Sequence, residues 1–193
     1  MNKESNHEVF FIKYRTFLAI AYKHHKIVDR LVKERNARKV KDDHDVNFIC
    51  ARNAAIQRSA MVSVVFSALT LEAFINNYAI EHFSRRYLEN YLDKLSAVAK
   101  WVVIPKLKTG NELNTDGQPY EKLKELFKLR DRLVHYKTRK KKVSEMTEEE
   151  DWVTEIHSKD ALLTVESILN ELSGLDTSVK TDWLEEAKSD PYA

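Results

Sequence analysis

An all-helical fold is the class that the sequence predicts, because glycine and proline are scarce and apolar residues recur at helical spacing. Only three glycines and three prolines occur among 193 residues, roughly a quarter of average usage. Strands are joined by turns that draw on these two residue types, so β-sandwiches, barrels and doubly wound α/β folds are disfavoured. With 43% hydrophobic residues the chain can fill one core, and we expect a single domain over residues 1–193 with its core at about 8–173.

The first two predicted helices are long. The first covers about residues 8–38, where an apolar stripe has helical spacing: Phe10, Tyr14, Phe17, Leu18, Ala21, Val28, Leu31 and Val32. The second begins near Asp45, which suits an N-cap, and extends into the high eighties. It is apolar nearly all round between residues 60 and 80, which predicts the central, most buried helix. About forty residues would span about 60 Å, so we expect a kink or an overhang.

A loop separates this scaffold from the later helices. The third predicted helix is shorter, covers about residues 92–104 and ends at Pro105. Residues 105–119 then hold four of the six glycine and proline residues, which predicts the main internal loop. A fourth helix is predicted over about residues 119–138, because a proline suits its first turn.

The C-terminal part of the chain is acidic. Residues 145–193 carry three lysines against fourteen acidic residues, a net charge of −11, whereas residues 1–144 carry 29 basic and 16 acidic residues, a net charge of +13. A final helix is predicted over about 159–172, with Gly174 as its stop and a frayed tail over 188–193. The basic body suits a polyanionic partner such as nucleic acid. Alternatively, the two parts neutralise each other within one chain or across a dimer.

Three features of the sequence favour a cytoplasmic protein without a membrane partner. No apolar run approaches the 18 residues that a membrane span needs, and the N-terminal residues lack the apolar core of a signal peptide. The single cysteine, Cys50, cannot form an internal disulfide, and we expect it to be a small packed residue.

The helix predicted over about 119–138 carries the residues that suggest chemistry. Arg130 interrupts its apolar stripe three residues after Phe127, and a guanidinium in that position must be paired when it is buried. Asp131 and His135 are spaced i, i+4, so the carboxylate can contact and orient an imidazole suited to proton transfer.

Basic residues surround this group. Between residues 128 and 142 there are eight Lys or Arg and one Asp, and the candidate RNA-binding residues are Lys128, Arg132, Lys137, Arg139, Lys140, Lys141 and Lys142. Because Lys and Arg neutralise backbone phosphates, the stretch favours a phosphodiester substrate.

Three stretches of the sequence resemble those of a known family. The string Arg130-Asp131-Arg132-Leu133-Val134-His135 resembles the R-x4-6-H signature of HEPN domains (higher eukaryotes and prokaryotes nucleotide-binding), which favour a polar residue after the arginine. The stretch Leu71-Glu72-Ala73-Phe74-Ile75-Asn76 is similar to the LEAFIN-type stretch of many HEPN-like bacterial proteins. One such group also resembles this chain at Lys100-Trp101 and Ile104-Pro105-Lys106-Leu107. The resemblance covers about residues 60–138.

This resemblance implies a HEPN-like bundle of four to five helices with a long central helix, which dimerises so that the motif arginines and histidines of two copies meet. Active members are metal-independent endoribonucleases, often toxins or antiviral effectors. It implies that His135 transfers a proton at the ribose 2′-OH or the leaving 5′-oxygen, that Arg130 stabilises charge on the phosphate, and that Asp131 orients His135. Because the 2′-OH is an internal nucleophile, the products are a 2′,3′-cyclic phosphate and a 5′-OH, and no metal or cofactor is needed.

Two further residues support the candidate site. Glu72 is the only acidic residue from 46 through 80, and it either pairs with Arg130 or lies on a solvent-facing strip. Some toxin members carry a tyrosine two residues after the histidine, which a partner nucleotidyltransferase modifies. Here that position is Lys137 and the tyrosine is Tyr136, so we interpret Tyr136 as a residue for packing or for stacking on the substrate.

Three functional hypotheses therefore follow from the sequence. The first is a metal-independent endoribonuclease that acts as a homodimer, as a toxin or phage-defence effector with an antitoxin protein as a further partner. The second is a non-catalytic HEPN-like module that binds RNA, a nucleotide or a protein through a helical dimer. The third is a structural bundle whose acidic C-terminal part covers its basic face.

Overall fold

The computed structural model describes residues 12–135 and 153–189, and these residues form helices joined by loops. The prediction of an all-helical bundle is confirmed for this part of the chain. The helices are α1 (Tyr14–Ala37), α2 (Asp43–His82), α3 (Arg85–Tyr87) with a following π-helical turn (Leu88–Leu92), α4 (Ala97–Thr109), α5 (Gln118–Val134), α6 (Glu155–Leu175) and α7 (Trp183–Ser189). Five of them have 13 residues or more. The second helix, predicted to extend into the high eighties, ends at His82, and residues 85–87 form the separate α3. The short α7 was not predicted.

Helices α1 and α2 pack as an antiparallel pair. Aromatic rings join the start of α1 to the second half of α2, with Tyr14 and Phe74 at a centroid distance of 5.1 Å. The other end of the pair is polar, because Arg35 donates to Asn53 at 3.2 Å and pairs with Glu155 of α6 at 3.0 Å. The N-terminal third of the long α2 therefore does not project alone but is held by the end of α1.

The predicted N-cap of α2 is wrong by three residues. The carboxylate of Asp42 accepts the bond from the main-chain N–H of Asp45, so Asp42 is the N-cap. Asp45 is buried within the first turn, where it pairs with Arg38 and accepts a bond from the N–H of Lys41. A cluster of aspartates offers several candidate caps, and the pairing with Arg38 decides which aspartate turns inward.

Helix α2 lies at the centre of the bundle, in contact with α1, α4, α5 and α6. Its fully buried apolar side chains include Val64, Leu71 and Ile75. By length and composition α2 could cross a membrane, but half of its most apolar window is buried inside this protein. Cys50, expected to be packed, is exposed on the N-terminal third of α2.

Helix α4 does not end at Pro105, contrary to the prediction. It starts at the N-cap Ser96, continues through the buried Pro105 and ends at Gly110, whose φ of 79° is in the left-handed region that favours glycine. A proline inside a helix removes one main-chain donor. Burial of the ring beside the fully buried Trp101 and Ile104 offsets this loss.

Helices α6 and α7 also differ from the predicted C-terminal part. Gly174, expected as a stop, lies inside α6. Helix α7 includes residues 188 and 189, the first two of the expected frayed tail. It packs on the bundle because Trp183 is buried and stacks on Phe74 of α2 at a centroid distance of 6.0 Å. The acidic Glu186 of α7 pairs with Arg15 of α1 at 3.2 Å, so this part of the acidic segment lies on α1 rather than on the basic α5.

The end of α6 is tied to α2 by a hydrogen bond whose strength depends on pH. The Tyr78 hydroxyl donates to Asp176 Oδ2 at 2.6 Å. Hydrogen bonds from Ser178 and Tyr78 lower the pKa of Asp176 to about 2. Because the carboxylate form is the one that is stabilised, this contribution is fully present above the ordinary aspartate pKa of about 4 and is lost as the pH falls toward 2.

We predict that Asp176→Asn lowers the free energy of unfolding at pH 7 by roughly 1 kcal/mol, after allowance for solvent screening. The difference from wild type should shrink as the pH falls from about 4 to about 2. Urea unfolding across this pH range measures it. Asp116→Asn, at an exposed loop carboxylate, is the control that should change stability little; a pH-independent deficit in Asp176→Asn would contradict the prediction.

Candidate functional site

The candidate site lies where α5 packs against α2. Arg130 Nη2 donates to Glu72 Oε2 at 3.0 Å, and Arg130 Nη1 lies 3.1 Å from Asp131 Oδ1. Of the two alternatives for Glu72, the contact with Arg130 is the one observed, although 36% of the Glu72 side chain is still exposed. One half-buried guanidinium is thus shared by two carboxylates.

The packing of α5 places Arg130 at this position. Leu123, Leu126 and Phe127 are buried on one face of α5, and Arg130 continues that stripe toward its C-terminal end. Its guanidinium carbon lies 5.2 Å from the centre of the Phe127 ring, a favourable cation–π distance. The Arg130 side chain is only 18% exposed, and its Nε is buried without a hydrogen-bond partner among the residues described. Packing and two ion pairs together fix the guanidinium.

The expected contact between Asp131 and His135 is not formed. Helix α5 ends at Val134, four residues before the predicted end, and His135 occupies the C-cap with φ −108° and ψ 38°. Its main-chain N–H donates to the Asp131 carbonyl at 2.9 Å, but in residues 12–135 no hydrogen bond or ion pair joins the imidazole to the Asp131 carboxylate. Asp131 pairs with Arg130 instead, because the long arginine side chain reaches its neighbour's carboxylate.

His135 is exposed to solvent at the end of α5, next to Val134, which is 53% exposed. Residues five apart on a helix are about 140° apart around its axis, so Arg130 and His135 belong to different faces. Lys128 and Arg132, each two residues from Arg130, are also exposed and lie about 160° from it around the axis. In one copy the exposed histidine therefore shares its face with basic residues, whereas Arg130 faces α2.

Six further candidate residues lie outside the described part of the chain, namely Tyr136, Lys137, Arg139, Lys140, Lys141 and Lys142. Their roles stay predictions.

A second polar group on α2 was missed by the sequence analysis. Lys100 of α4 is buried and donates to Asn76 Oδ1 at 2.9 Å. Asn76 follows Glu72 by one turn, so Lys100 and Arg130 contact the same side of α2. The signal was available, because Ala97, Lys100, Trp101 and Ile104 have the i, i+3, i+4, i+7 spacing of a buried stripe, and a charge in such a stripe is the same anomaly as Arg130.

Comparisons with protein-family models, curated proteins and solved structures give no match to this chain. Within residues 12–135 and 153–189 there is no group of three or more His, Cys, Asp and Glu side chains that could hold a metal ion. The described residues form an all-helical bundle in which two largely buried cations, Lys100 of α4 and Arg130 of α5, contact the central helix α2, and an exposed histidine lies at the end of α5.

We predict that Glu72→Gln lowers the free energy of unfolding by about 1 kcal/mol, because Arg130 loses a charged hydrogen-bond partner at a half-buried position. Glu81→Gln, at an exposed end of the same helix, is the matched control and should change stability by less than about 0.5 kcal/mol. A double-mutant cycle of Glu72→Gln with Arg130→Met, measured by urea unfolding, should give a coupling of about 0.5 kcal/mol or more. Strict additivity of the two changes would show that the ion pair contributes nothing.

Proposed function

We propose that this protein is a metal-independent endoribonuclease of HEPN type, which cleaves RNA to 2′,3′-cyclic phosphate and 5′-OH ends. The observation that carries the proposal is an accessible histidine, His135, five residues after an arginine, Arg130, that Glu72 and Asp131 hold in one position. The same two residues form the motif through which the sequence resembles HEPN domains. A fixed cation and an accessible proton-transfer group are the two components that this chemistry needs from the protein.

The proposed reaction is an internal transesterification. The ribose 2′-oxygen loses its proton and bonds to the adjacent phosphorus, while the bond from phosphorus to the 5′-oxygen breaks and that oxygen takes up a proton. His135 transfers protons at one of these two oxygens, and Arg130 stabilises the charge that builds up on the phosphate oxygens. Glu72 keeps the guanidinium in place. In this structure Asp131 supports Arg130 rather than the imidazole.

A homodimer completes the proposed site. Because Arg130 and His135 of one copy belong to different faces of α5, two copies must meet if both groups are to reach one phosphate. Val62, Val65 and Leu69 supply a suitable surface, since they are half-buried apolar residues that follow one another at helical spacing and lead directly to Glu72. Association through this side of α2 would bring the α5 ends of two copies together.

A toxin or phage-defence effector in the cytoplasm is the biological role that fits this proposal, with RNA as the substrate and an antitoxin protein as a further partner. Expression of the wild-type protein should then be toxic.

The alternative is a non-catalytic HEPN-like module that binds RNA, a nucleotide or a protein through a helical dimer. The observation that favours it is that two carboxylates already neutralise Arg130, as in a structural network. RNA binding by the wild-type protein without any cleavage activity would select this alternative.

We predict that the purified protein cleaves single-stranded RNA with EDTA present, and that Arg130→Ala and His135→Ala each lower the rate by about a hundredfold or more. His44→Ala, at an exposed histidine near the start of α2, is the matched control and should retain full activity. Mass spectrometry of the fragments should show 2′,3′-cyclic phosphate ends. Equal cleavage by all four proteins would assign the activity to a contaminant.

We also predict that the protein is a dimer in solution and that Val65→Glu makes it monomeric, because the interface would bury an unpaired carboxylate. Val46→Glu places the same change at a 45% exposed position on the N-terminal third of α2, away from the proposed interface, and should stay dimeric. Sedimentation equilibrium measures the mass of each protein. The half-buried side of α2 is not the interface if Val65→Glu remains a folded dimer.

A further inference from the structure

Lys100 is a buried cation with too few partners. The residue is 7% exposed and lies on the buried stripe of α4, beside the fully buried Trp101 and Ile104. Removing an ammonium group from water is costly unless hydrogen bonds and an opposite charge replace the lost hydration. A lysine in this position needs an explanation beyond helix packing, since its neighbours on the stripe are apolar.

The partners that the structure gives to Lys100 do not supply that compensation. Its Nζ donates to the neutral amide oxygen of Asn76 at 2.9 Å. The closest carboxylate oxygen, Asp93 Oδ1, lies 4.0 Å away on a side chain that is 80% exposed. An ammonium has three donors, and this is its one hydrogen bond among the residues described. Two N–H groups therefore have no hydrogen-bond partner among the described residues, and the exposed Asp93 side chain 4.0 Å away shows that the Nζ end of Lys100 lies near the protein surface.

The position of Lys100 relative to Arg130 indicates which anion fits. Asn76 follows Glu72 by four residues, so the two side chains are about 6 Å apart along α2 and point to the same side. Lys100 is bonded to Asn76 and Arg130 is bonded to Glu72. The partners of the two cations thus lie on consecutive turns of one helix, about 6 Å apart, which is comparable to the spacing of successive phosphates in a single nucleic-acid strand.

We propose that Lys100 binds the backbone phosphate of single-stranded RNA next to the phosphate that Arg130 contacts, with Asn76 positioning the ammonium. This rests on the proposed function in taking RNA as the ligand, but it concerns binding and is independent of whether the RNA is cleaved. Glu72 and Asp131 neutralise Arg130 in the free protein, whereas Lys100 faces a neutral amide. Because its closest carboxylate lies 4.0 Å away on an exposed side chain, Lys100 is the less compensated cation of the pair.

Binding of a 2′-O-methyl RNA oligonucleotide, which lacks the attacking hydroxyl, isolates this step from cleavage. Lys100→Met keeps most of the side-chain volume and removes the charge, and we expect about tenfold weaker binding by fluorescence anisotropy. The slope of log K against log salt should fall by about 0.7, as for the loss of one phosphate contact on a single strand. Lys33→Met, at an exposed lysine of α1, is the matched control and should bind like wild type.

Asn76→Asp provides a second test if Lys100→Met does not fold. It places a carboxylate at the atom that Lys100 already contacts, so the ammonium becomes paired within the protein and the fold should keep its stability. We expect RNA binding to weaken about tenfold, while Asn77→Asp, one residue further round α2, should have a smaller effect.

Two outcomes overturn the inference, namely wild-type affinity in both Lys100→Met and Asn76→Asp, or no RNA binding by the wild-type protein at low salt. Failure of the proposed nuclease is a separate result, because it appears as intact unmodified RNA in the presence of a protein that still binds the 2′-O-methyl oligonucleotide.

Discussion

Burial of α2 is the constraint on which the rest of the structure depends. Between residues 60 and 80 this helix is apolar nearly all round, and a helix of that kind is stable in water only when other elements cover it. Helices α1, α4, α5 and α6 provide that cover, and the aromatic ring of Trp183 in α7 closes the end near Phe74. The positions of Glu72, Lys100 and Arg130 follow from how α4 and α5 pack on α2.

Two polar residues in the most apolar part of α2 bind cations from neighbouring helices. Glu72, the only acidic residue between 46 and 80, contacts Arg130, and Asn76 contacts Lys100. A cation brought to an apolar helix by its own packed stripe must find a partner there, because an unpaired buried charge would destabilise the fold. Glu72 and Asn76 lie on consecutive turns of α2, so they make one side of this helix polar. Its other sides remain part of the apolar core.

The sequence was sufficient to predict the helices but not all of their ends. Periodicity located α1, α2, α5 and α6, because many apolar residues contribute to each pattern. Single-residue signals were less reliable. Pro105 and Gly174 both lie inside helices, since the tertiary packing of their neighbours outweighs the local preference of one residue. Helix α7 was missed because seven residues carry too short a pattern, and it is held by three buried residues, Trp183, Leu184 and Ala187.

The candidate site was predictable in part. That Arg130 needs a partner follows from its position on an apolar stripe, and the rarity of acidic residues on α2 made Glu72 the natural candidate. The orientation of His135 was not predictable, because it depends on where α5 ends and on whether Asp131 contacts His135 or Arg130. Lys100 is a second example of the same principle, because a charged residue on the buried stripe of α4 also has a polar partner on α2.

The aromatic cluster of Tyr14, Phe74 and Trp183 joins residues that are far apart in the chain. Contacts between distant residues form only after the intervening chain is available, and the entropy of closing such loops slows folding. During synthesis on the ribosome α1 and α2 can pair early, but one end of their shared aromatic surface stays open until residue 183 has emerged. The nascent chain therefore carries an uncovered apolar surface between the emergence of Phe74 and that of Trp183, and exposed surface of this kind makes a partly folded chain prone to aggregate.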